Sequence, residues 1–357
     1  MVRIGIIGIG FMGYTHFEAA RKLSGGRVAA IASRSEKKRA GDWTGIQGNF
    51  GPPAGQVDLS EVKTYRDHRD LLADPDIDLV DVCLPTDLHE AFVLESLSAG
   101  KHVLVEKPIA IDLAAADRMV RAAEEAGRLL MVGQVLPYFP EFRYAAELIE
   151  TGEYGKLLAA HLRRVVAPPK WSSDMADFKK LGGWGIDLHI HDNHFICVTC
   201  GVPREVFSRG LLQEGFVNHV HSQYVFDGDG PAVSCVSGGI AAPAMHFAHG
   251  FEMYFERATL FYDAGTYGKE PAWTATQPIK LFTPEGDAIH PKLPGGGEWC
   301  AAFTVELEEA CAGVKEGNPP ATLSGALARD ALRLCYAEAE SIRTGQAARV
   351  ASGEPPA

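Results

Sequence analysis

The chain has 357 residues, of which 46% are hydrophobic and 22% charged, and its formal net charge at pH 7 is −12. This length suits two domains with sizeable cores. The acidic balance argues against a nucleic-acid surface, because binding to phosphates requires clustered Lys and Arg. No run of about 18 apolar residues suggests a membrane span, and the first residues enter a strand without a signal peptide, so we expect a cytoplasmic protein.

The first predicted elements are a strand and a helix joined by glycines. Val2–Ile7 is an apolar run typical of a strand that is buried on both faces, and a helix is predicted over 14–23. Between them, Gly8, Gly10 and Gly13 form G-x-G-x-x-G. Such glycines allow a tight turn, close approach to a pyrophosphate and close helix packing, while the helix N-terminus offers N–H groups. We therefore predict a dinucleotide site here.

The second predicted strand, over 27–32, ends in Ser33 and Arg34. An NAD site usually has an acidic residue about 20 residues past the glycines, where it binds the ribose 2′-hydroxyl. A hydroxyl and a guanidinium favour a 2′-phosphate instead, so the predicted cofactor is NAD(P), leaning to NADP. The alternative is that Arg34 only lies over the adenine, which would serve either cofactor.

A Gly- and Pro-rich loop follows at 41–60 and is long for a connection between a strand and a helix. It is either a functional cover near the adenosine or an idle insertion, and the sequence does not decide between the two.

Strand–helix alternation then continues to residue 135 and predicts a doubly wound parallel sheet. One of these strands, predicted over 102–105, ends in Glu106, Lys107 and Pro108. Ligands of such sheets bind beyond the carboxyl ends of the strands. We therefore predict that Lys107 lies over the bound cofactor. The strands are predicted over 78–83, 102–105 and 129–135, and the helices over 89–99 and 113–126.

β-rich runs dominate the remainder of the chain and predict an antiparallel sheet with one buried face. The predicted strands cover 157–166, 206–212, 222–226, 233–236, 251–255 and 259–262. One helix is predicted over 184–200, and a closing helix over about 326–343. The predicted fold is thus an α/β Rossmann domain over 1–135, followed by an α+β domain with a large, mostly antiparallel open sheet over 136–357.

The helix predicted over 184–200 carries the second candidate site. Asp187 and His191 are four residues apart and so share one helical face. A carboxylate in that place can hold the tautomer of an imidazole that acts as a general base. The alternative is an ordinary Asp–His pair or a solvated polar face. His189 and His194 also suggest a metal site, but residues two apart do not share a helical face, so we predict none.

Several motifs together resemble the Gfo/Idh/MocA family of NAD(P)-dependent oxidoreductases, and the match runs nearly end to end. The motifs lie at 8–13, 85–89, 100–108, 182–191 and 339–345. The resemblance implies a Rossmann domain, an open-sheet domain and an active site in the cleft between them. It also implies a homodimer or homotetramer that pairs through the C-terminal sheet.

The resemblance also assigns site residues. It implies that Lys107 is the catalytic lysine, that Asp187 and His191 complete the catalytic set, and that Glu106 lies by the nicotinamide ribose. Pro108 would follow a cis peptide bond. The residues implied to line the cofactor are Phe11, Met12, Pro85 and His89.

The chain departs from the family pattern in three places. Ser33 and Arg34 replace an acidic strand end, Leu136 and Pro137 stand where many members carry Arg, and the 41–60 loop is longer than usual. Any substrate contact made by those arginines is therefore not expected here.

The expected reaction is hydride transfer between the nicotinamide and a secondary hydroxyl or ketone of a sugar, a polyol (inositol-like) or a sugar derivative. His191 would act as general base, Asp187 would hold its ring, and Lys107 would donate to the reacting oxygen. A non-catalytic NAD(P)-binding sensor and a metal-dependent hydrolase are the alternatives. Side chains that either contact substrate or serve as surface and core are Arg163, Arg164, Lys170, Trp171, Lys179, Lys180 and Trp184.

Overall fold

The structure is a computed structural model that describes residues 1–48, 50–168, 178–269 and 272–350. Its contacts divide the chain into two compact units, Met1–Tyr138 with Gly295–Arg329 and Phe139–Pro294 with Asp330–Ala357. The predicted boundary after residue 135 assigned all later residues to the second domain, whereas Gly295–Arg329 pack with the first unit. Among the described residues, no helix is both long and apolar enough to cross a membrane.

The first unit contains a six-stranded parallel sheet in the order β3-β2-β1-β4-β5-β6. The chain leaves β1 towards β2 on one side and returns to β4 on the other, so a topological switch point lies at the carboxyl ends of β1 and β4. The doubly wound sheet that the sequence predicted is confirmed. Its strands are β1 (Val2–Ile7), β2 (Gly26–Ala32), β3 (Lys63–Tyr65), β4 (Leu79–Val82), β5 (His102–Glu106) and β6 (Leu130–Gly133).

Helices connect these strands, and their ends follow from local sequence. The longest of them begins where the Asp112 carboxylate accepts a hydrogen bond of 2.8 Å from the Ala115 N–H, and it ends at Gly127 in the left-handed conformation. The helices are α1 (Phe11–Ala20), α2 (Glu36–Arg39), α3 (His68–Ala73), α4 (His89–Ser98) and α5 (Leu113–Ala126).

The second unit is built on a nine-stranded sheet in the order β14-β13-β12-β11-β7-β10-β9-β8-β15. All its strand pairs are antiparallel except β7 with β10, which confirms the predicted mostly antiparallel sheet. The strand β13 was not predicted, because most of its side chains are exposed and show no alternation. The strands are β7 (Leu157–Val166), β8 (Glu205–Gln213), β9 (Phe216–Val225), β10 (Ala232–Gly238), β11 (Met245–Phe255), β12 (Thr259–Tyr267), β13 (Ala272–Phe282), β14 (Ala288–Ile289) and β15 (Ala348–Arg349).

The later helices differ from the prediction in two places. The helix predicted over 184–200 is two helices, because the chain turns at Leu188 and His189 between them. A helix at 301–316 was missed, because Glu306 occupies a buried position in its apolar stripe and breaks the pattern. The helices are α6 (Pro140–Thr151), α7 (Phe178–Leu181), α8 (Trp184–Asp187), α9 (Ile190–Cys200), α10 (Ala301–Glu316) and α11 (Gly325–Thr344).

Candidate active site

The glycine loop after β1 has the shape that a dinucleotide requires. A Cβ atom on Gly13 would lie 2.1 Å from the Gly8 carbonyl oxygen, so only glycine allows α1 to pack this closely. A Cβ atom on Gly10 would meet nothing within 4 Å, which leaves room on that side of the loop. Gly10 caps α1 without a side-chain hydrogen bond, and no acidic residue lies in the first turn. The helix N-terminus therefore suits a pyrophosphate.

The end of β2 carries cations and hydroxyl groups. Arg34 is exposed, and the Ser33 hydroxyl accepts a hydrogen bond of 3.3 Å from the Ser35 N–H. Lys38 was not singled out from the sequence, yet its Nζ donates to the Ile9 carbonyl within the glycine loop at 2.5 Å. Burial lowers the pKa of Lys38. This edge of the sheet thus places positive charge beside the glycine loop.

The 41–60 loop packs against the same edge. Trp43 is fully buried, its ring centroid lies 4.9 Å from that of Phe17, and its Nε1 donates to the Lys38 carbonyl at 2.8 Å. Further along, the Phe50 ring meets the Phe11 ring edge-on at 4.7 Å. The loop therefore has its own buried anchor and lies over the N-terminus of α1. These contacts do not decide between the two alternatives, a functional cover and an idle insertion.

Lys107 stands at the carboxyl end of β5, as the sequence predicted, and is half-buried. The Lys107–Pro108 peptide bond is cis, as the resemblance implied. The buried Glu106 carboxylate accepts a hydrogen bond of 3.2 Å from the Lys107 N–H. The Glu106 side chain thus holds the backbone of the turn that carries Lys107.

His89 connects this turn to the neighbouring one. Its ring is fully buried, with Nδ1 2.9 Å from the Pro108 carbonyl and Nε2 2.9 Å from the Leu84 carbonyl. Burial lowers the pKa of His89, and a neutral imidazole donates to one of the two carbonyls only. The resemblance implied that His89 lines the cofactor; in the structure its ring ties the turn after β4 to the turn after β5, while Pro85 is exposed.

In the second unit, Asp187 ends α8 and His191 lies in the first turn of α9. Because the chain turns between them, the argument from one continuous helical face does not apply. Both side chains are nevertheless partly exposed, whereas His189 and His194 are fully buried. The catalytic assignment of Asp187 and His191 stays a prediction.

A buried carboxylate that sequence reasoning missed fixes the turn between α8 and α9. Glu338, on α11, accepts hydrogen bonds from His189 at 2.9 Å, Asn193 at 2.7 Å, Ser222 at 2.6 Å and Tyr224 at 2.9 Å. Burial alone would raise the pKa of Glu338, but His189 and the other donors lower it. Burial would likewise lower the pKa of His189, and Glu338 raises it. The two form a buried ion pair.

Three of the seven candidate substrate contacts prove to be structural. Arg164 is buried and binds both oxygens of Asp192, at 2.8 Å and 3.1 Å, so it is already neutralised. Arg163 pairs with Asp263, and Trp184 packs in a core cluster. Lys179 and Lys180 are exposed, while Lys170 and Trp171 lie outside the described residues.

His189, His191 and His194, which suggested a metal site, do not form one group of converging donor atoms in the described part of the chain, and the expected absence of a metal stays a prediction. Two other groups there bring donor atoms within 4.8 Å of one another, and neither contains His191 or His194. In one of these groups His189 is paired with Glu338, and Asp192 with Arg164. The groups are His16, Asp81 and Cys83, and His189, Asp192 and Cys235.

A doubly wound sheet with an open glycine loop after β1 is typical of proteins that bind a dinucleotide. Residues 2–134 match the family described as "Oxidoreductase family, NAD-binding Rossmann fold", GFO_IDH_MocA. The Rossmann part of the chain is therefore similar to the Gfo/Idh/MocA family of oxidoreductases.

Similarity to individual proteins extends over the whole chain. The chain is 28% identical to a myo-inositol 2-dehydrogenase of Thermotoga maritima, and the alignment covers 96% of each of the two proteins. It is 29% identical to a 1,5-anhydro-D-fructose reductase of Ensifer adhaerens, covering 99% of this chain and 100% of the other. The crystal structure of an NAD-binding oxidoreductase from Klebsiella pneumoniae shares the fold, with a TM-score of 0.80 and 20% identity over 99% of this chain and 100% of that one.

Proposed function

We propose that the protein transfers hydride between NAD(P) and a secondary hydroxyl or ketone of a sugar or polyol, with an inositol-like ring among the candidate substrates. The observation that carries this proposal is the placement, at the carboxyl edge of one sheet, of the open Gly8–Gly13 loop after β1 and of the Lys107 turn after β5. The relatives named as a myo-inositol dehydrogenase and an anhydrofructose reductase support the substrate class.

The first unit would hold the cofactor. Gly8, Gly10 and Gly13, with the N-terminus of α1, bind the pyrophosphate, and Phe11 and Met12 flank it. Glu106 and Lys107 stand at the end of β5, on the half of the sheet beyond the switch point. When bound, the nicotinamide accepts or returns the hydride.

The protein's own side chains would move the proton. Oxidation of a carbinol requires loss of its O–H proton as hydride leaves, and His191 takes that proton as general base. Asp187 holds the imidazole in the tautomer that can accept it. Lys107 donates a hydrogen bond to the same oxygen and so stabilises its developing negative charge.

NADP is the proposed cofactor in preference to NAD. Its support is the end of β2, where Ser33 and the exposed Arg34 stand in place of an acidic residue and Lys38 reaches the glycine loop. A 2′-phosphate would gain a charge-assisted contact with Arg34. The expected homodimer or homotetramer, and the cytoplasmic location, stay predictions.

The test is a screen of purified protein with NAD⁺ and NADP⁺ against inositols, other polyols and sugars, and with the reduced cofactors against ketoses and keto-sugars. Turnover with at least one substrate, and tighter binding of NADP(H) than NAD(H), support the proposal. In the variant R34A the preference for NADP(H) should fall by about tenfold or more, since one charge-assisted hydrogen bond is lost. Cofactor binding without turnover on any substrate would indicate a sensor, and a preference for NAD(H) would remove the NADP assignment.

A further inference from the structure

A buried cluster of ionisable groups lies directly behind the Lys107 turn. We call it the His16 cluster; its members come from α1, β4, β5 and α10, and all are buried. Its position was invisible in the sequence, because the segments that contribute to it are far apart. The members are His16, Asp81, Cys83, Glu106 and Glu306.

His16 is the centre of this cluster. Its Nδ1 lies 2.8 Å from Asp81 Oδ2, and its Nε2 lies 2.9 Å from Glu106 Oε1. The second contact is close but is not aligned as a hydrogen bond. Glu306 Oε2 lies further away, 3.9 Å from the same Nε2. One imidazole therefore lies within 4 Å of three carboxyl groups.

The protonation of the cluster follows from this imbalance. Burial alone would lower the pKa of His16, but Asp81 and its neighbours raise it well above the ordinary value. Burial raises the pKa of Glu306 well above its ordinary value; the charge of His16 lowers it, and the carboxyls of Glu106 and Asp81 raise it further. These directions favour a protonated imidazole at His16, between Asp81 and Glu106, and a protonated carboxyl at Glu306.

The cluster is connected to the Lys107 turn through Glu106. One oxygen of Glu106 faces His16, and the other accepts the Lys107 N–H at 3.2 Å. On the far side, a Cβ atom on Gly133 would lie only 3.3 Å from Glu106 Oε1, so glycine there makes room for the carboxylate. A substitution at His16 can therefore alter the position of Lys107 through one intermediate side chain, that of Glu106.

Building on the proposed function, we propose that His16 is a positioning residue, which holds Glu106 and through it the backbone of Lys107 in the place that hydride transfer requires. His16 itself is fully buried and so cannot contact substrate. Outer contacts that orient the ligands of metal sites are typically worth about 10- to 100-fold in activity, and we expect an effect of that scale here.

Two substitutions separate this role from a merely structural one. The side-chain amide nitrogen of Asn falls near the place of Nδ1, so H16N keeps a donor for Asp81 and loses the contact with Glu106. The longer Gln reaches towards the place of Nε2, so H16Q keeps Glu106 and loses Asp81. We expect H16N to lower kcat by about 10- to 100-fold with the cofactor Kd nearly unchanged, and H16Q to recover most of this loss.

The matched control is His102, which is half-buried on β5 and accepts the Leu129 N–H at 3.1 Å. In H102N the amide oxygen can accept the same hydrogen bond, so kcat should stay near that of the unmodified protein. Equal losses of kcat in H16N and H16Q, accompanied only by equal losses of thermal stability, would overturn the proposal.

A double-mutant cycle with E106Q tests whether His16 acts through Glu106. If it does, H16N should lower kcat much less in the E106Q background than in the unmodified protein, because the contact is already altered. The same factor of loss in both backgrounds would show that His16 acts by another route and would contradict the proposal.

A second measurement keeps the inference separate from the proposed function. If the unmodified protein turns over no sugar or polyol, the proposed function fails, but labelling of Lys107 by an amine-reactive reagent, followed by peptide mass spectrometry, still reports on the turn. The labelling rate of Lys107 should change by at least about threefold in H16N and less in H16Q, which is the scale of a lost neutral hydrogen bond. The exposed Lys156 serves as internal control. Identical Lys107 rates in all three proteins would overturn the inference.

Discussion

The two units each contain a buried group of charged side chains, and the two groups differ in how well they are balanced. In the second unit, His189 pairs with Glu338 and Arg164 pairs with Asp192, so two cations meet two carboxylates. In the first unit, one imidazole, His16, lies against three carboxyl groups, those of Asp81, Glu106 and Glu306.

Hydrogen bonding follows the same division. Glu338 has four donors, whereas neither oxygen of Glu306 has a hydrogen-bond partner in the part of the chain that the structure describes. A buried network whose polar groups are all hydrogen-bonded rigidifies a core. A network with unpaired polar groups lowers stability, so its presence in a native protein indicates a function. We infer that the Glu338 group holds the fold and that the His16 cluster serves the site.

The largest expected effect is on turnover and concerns His191. This residue follows the turn that Glu338 and its four donors, the Glu338 group, hold in place. H191A should lower kcat by about 10²- to 10⁴-fold, because the general base is lost, while NADP(H) still binds. The exposed His221 provides a control in the same unit, and H221A should leave kcat unchanged. Near-normal turnover of H191A, with the hydride step shown to be rate-limiting by a deuterium isotope effect, would contradict the assignment.

The Glu338 group itself should be essential to stability. In E338Q the imidazolium of His189 loses its counter-charge in a buried place, so the free energy of unfolding should fall by about 3 kcal/mol or more. The exposed Glu340 lies on the same helix, and E340Q should change it by less than about 0.5 kcal/mol. Urea denaturation followed by circular dichroism measures both. A loss in E338Q no larger than in E340Q would break the proposed contrast between the two groups.

The smallest expected effect is on the pH dependence of thermal stability, which should differ between Glu306 and Glu338. Because the folded chain raises the pKa of Glu306, it keeps a proton that the unfolded chain loses above the ordinary value of 4.5, and stability falls as pH rises. The groups that face Glu306 are His16, Glu106, Asp81 and Glu309. In E306Q this penalty is absent.

The unfolding temperature of E306Q should therefore exceed that of the unmodified protein by about 2–4 °C at pH 8, a change of about 1 kcal/mol, and the difference should shrink towards pH 5. Differential scanning fluorimetry across this range measures it. A difference that is constant with pH, or that grows towards pH 5, would mean that Glu306 is not the neutral member of the cluster.

The parts of the site that could be predicted from the sequence are those in which structure depends on near neighbours. The Gly8–Gly13 loop and the strand end at Lys107 are local patterns, and both lie where they were expected. The buried contacts in the two units are not local: His189 contacts Glu338, which is 149 residues away, and His16 lies near Glu306, on a helix that was missed. The turn at Leu188 was also missed, because the side-chain spacing across 184–200 is compatible with one continuous helix.

The central claim is that Lys107, held at the end of β5, takes part in hydride transfer. Its most direct test is kcat of K107A at saturating NADP(H), with a substrate found by the screen and with K156A as the exposed control. The account predicts that kcat falls by at least about 10²-fold in K107A, as expected for loss of a group that acts in the transition state, and that it is unchanged in K156A. A K107A enzyme that keeps kcat within a few-fold of the unmodified protein would contradict the account.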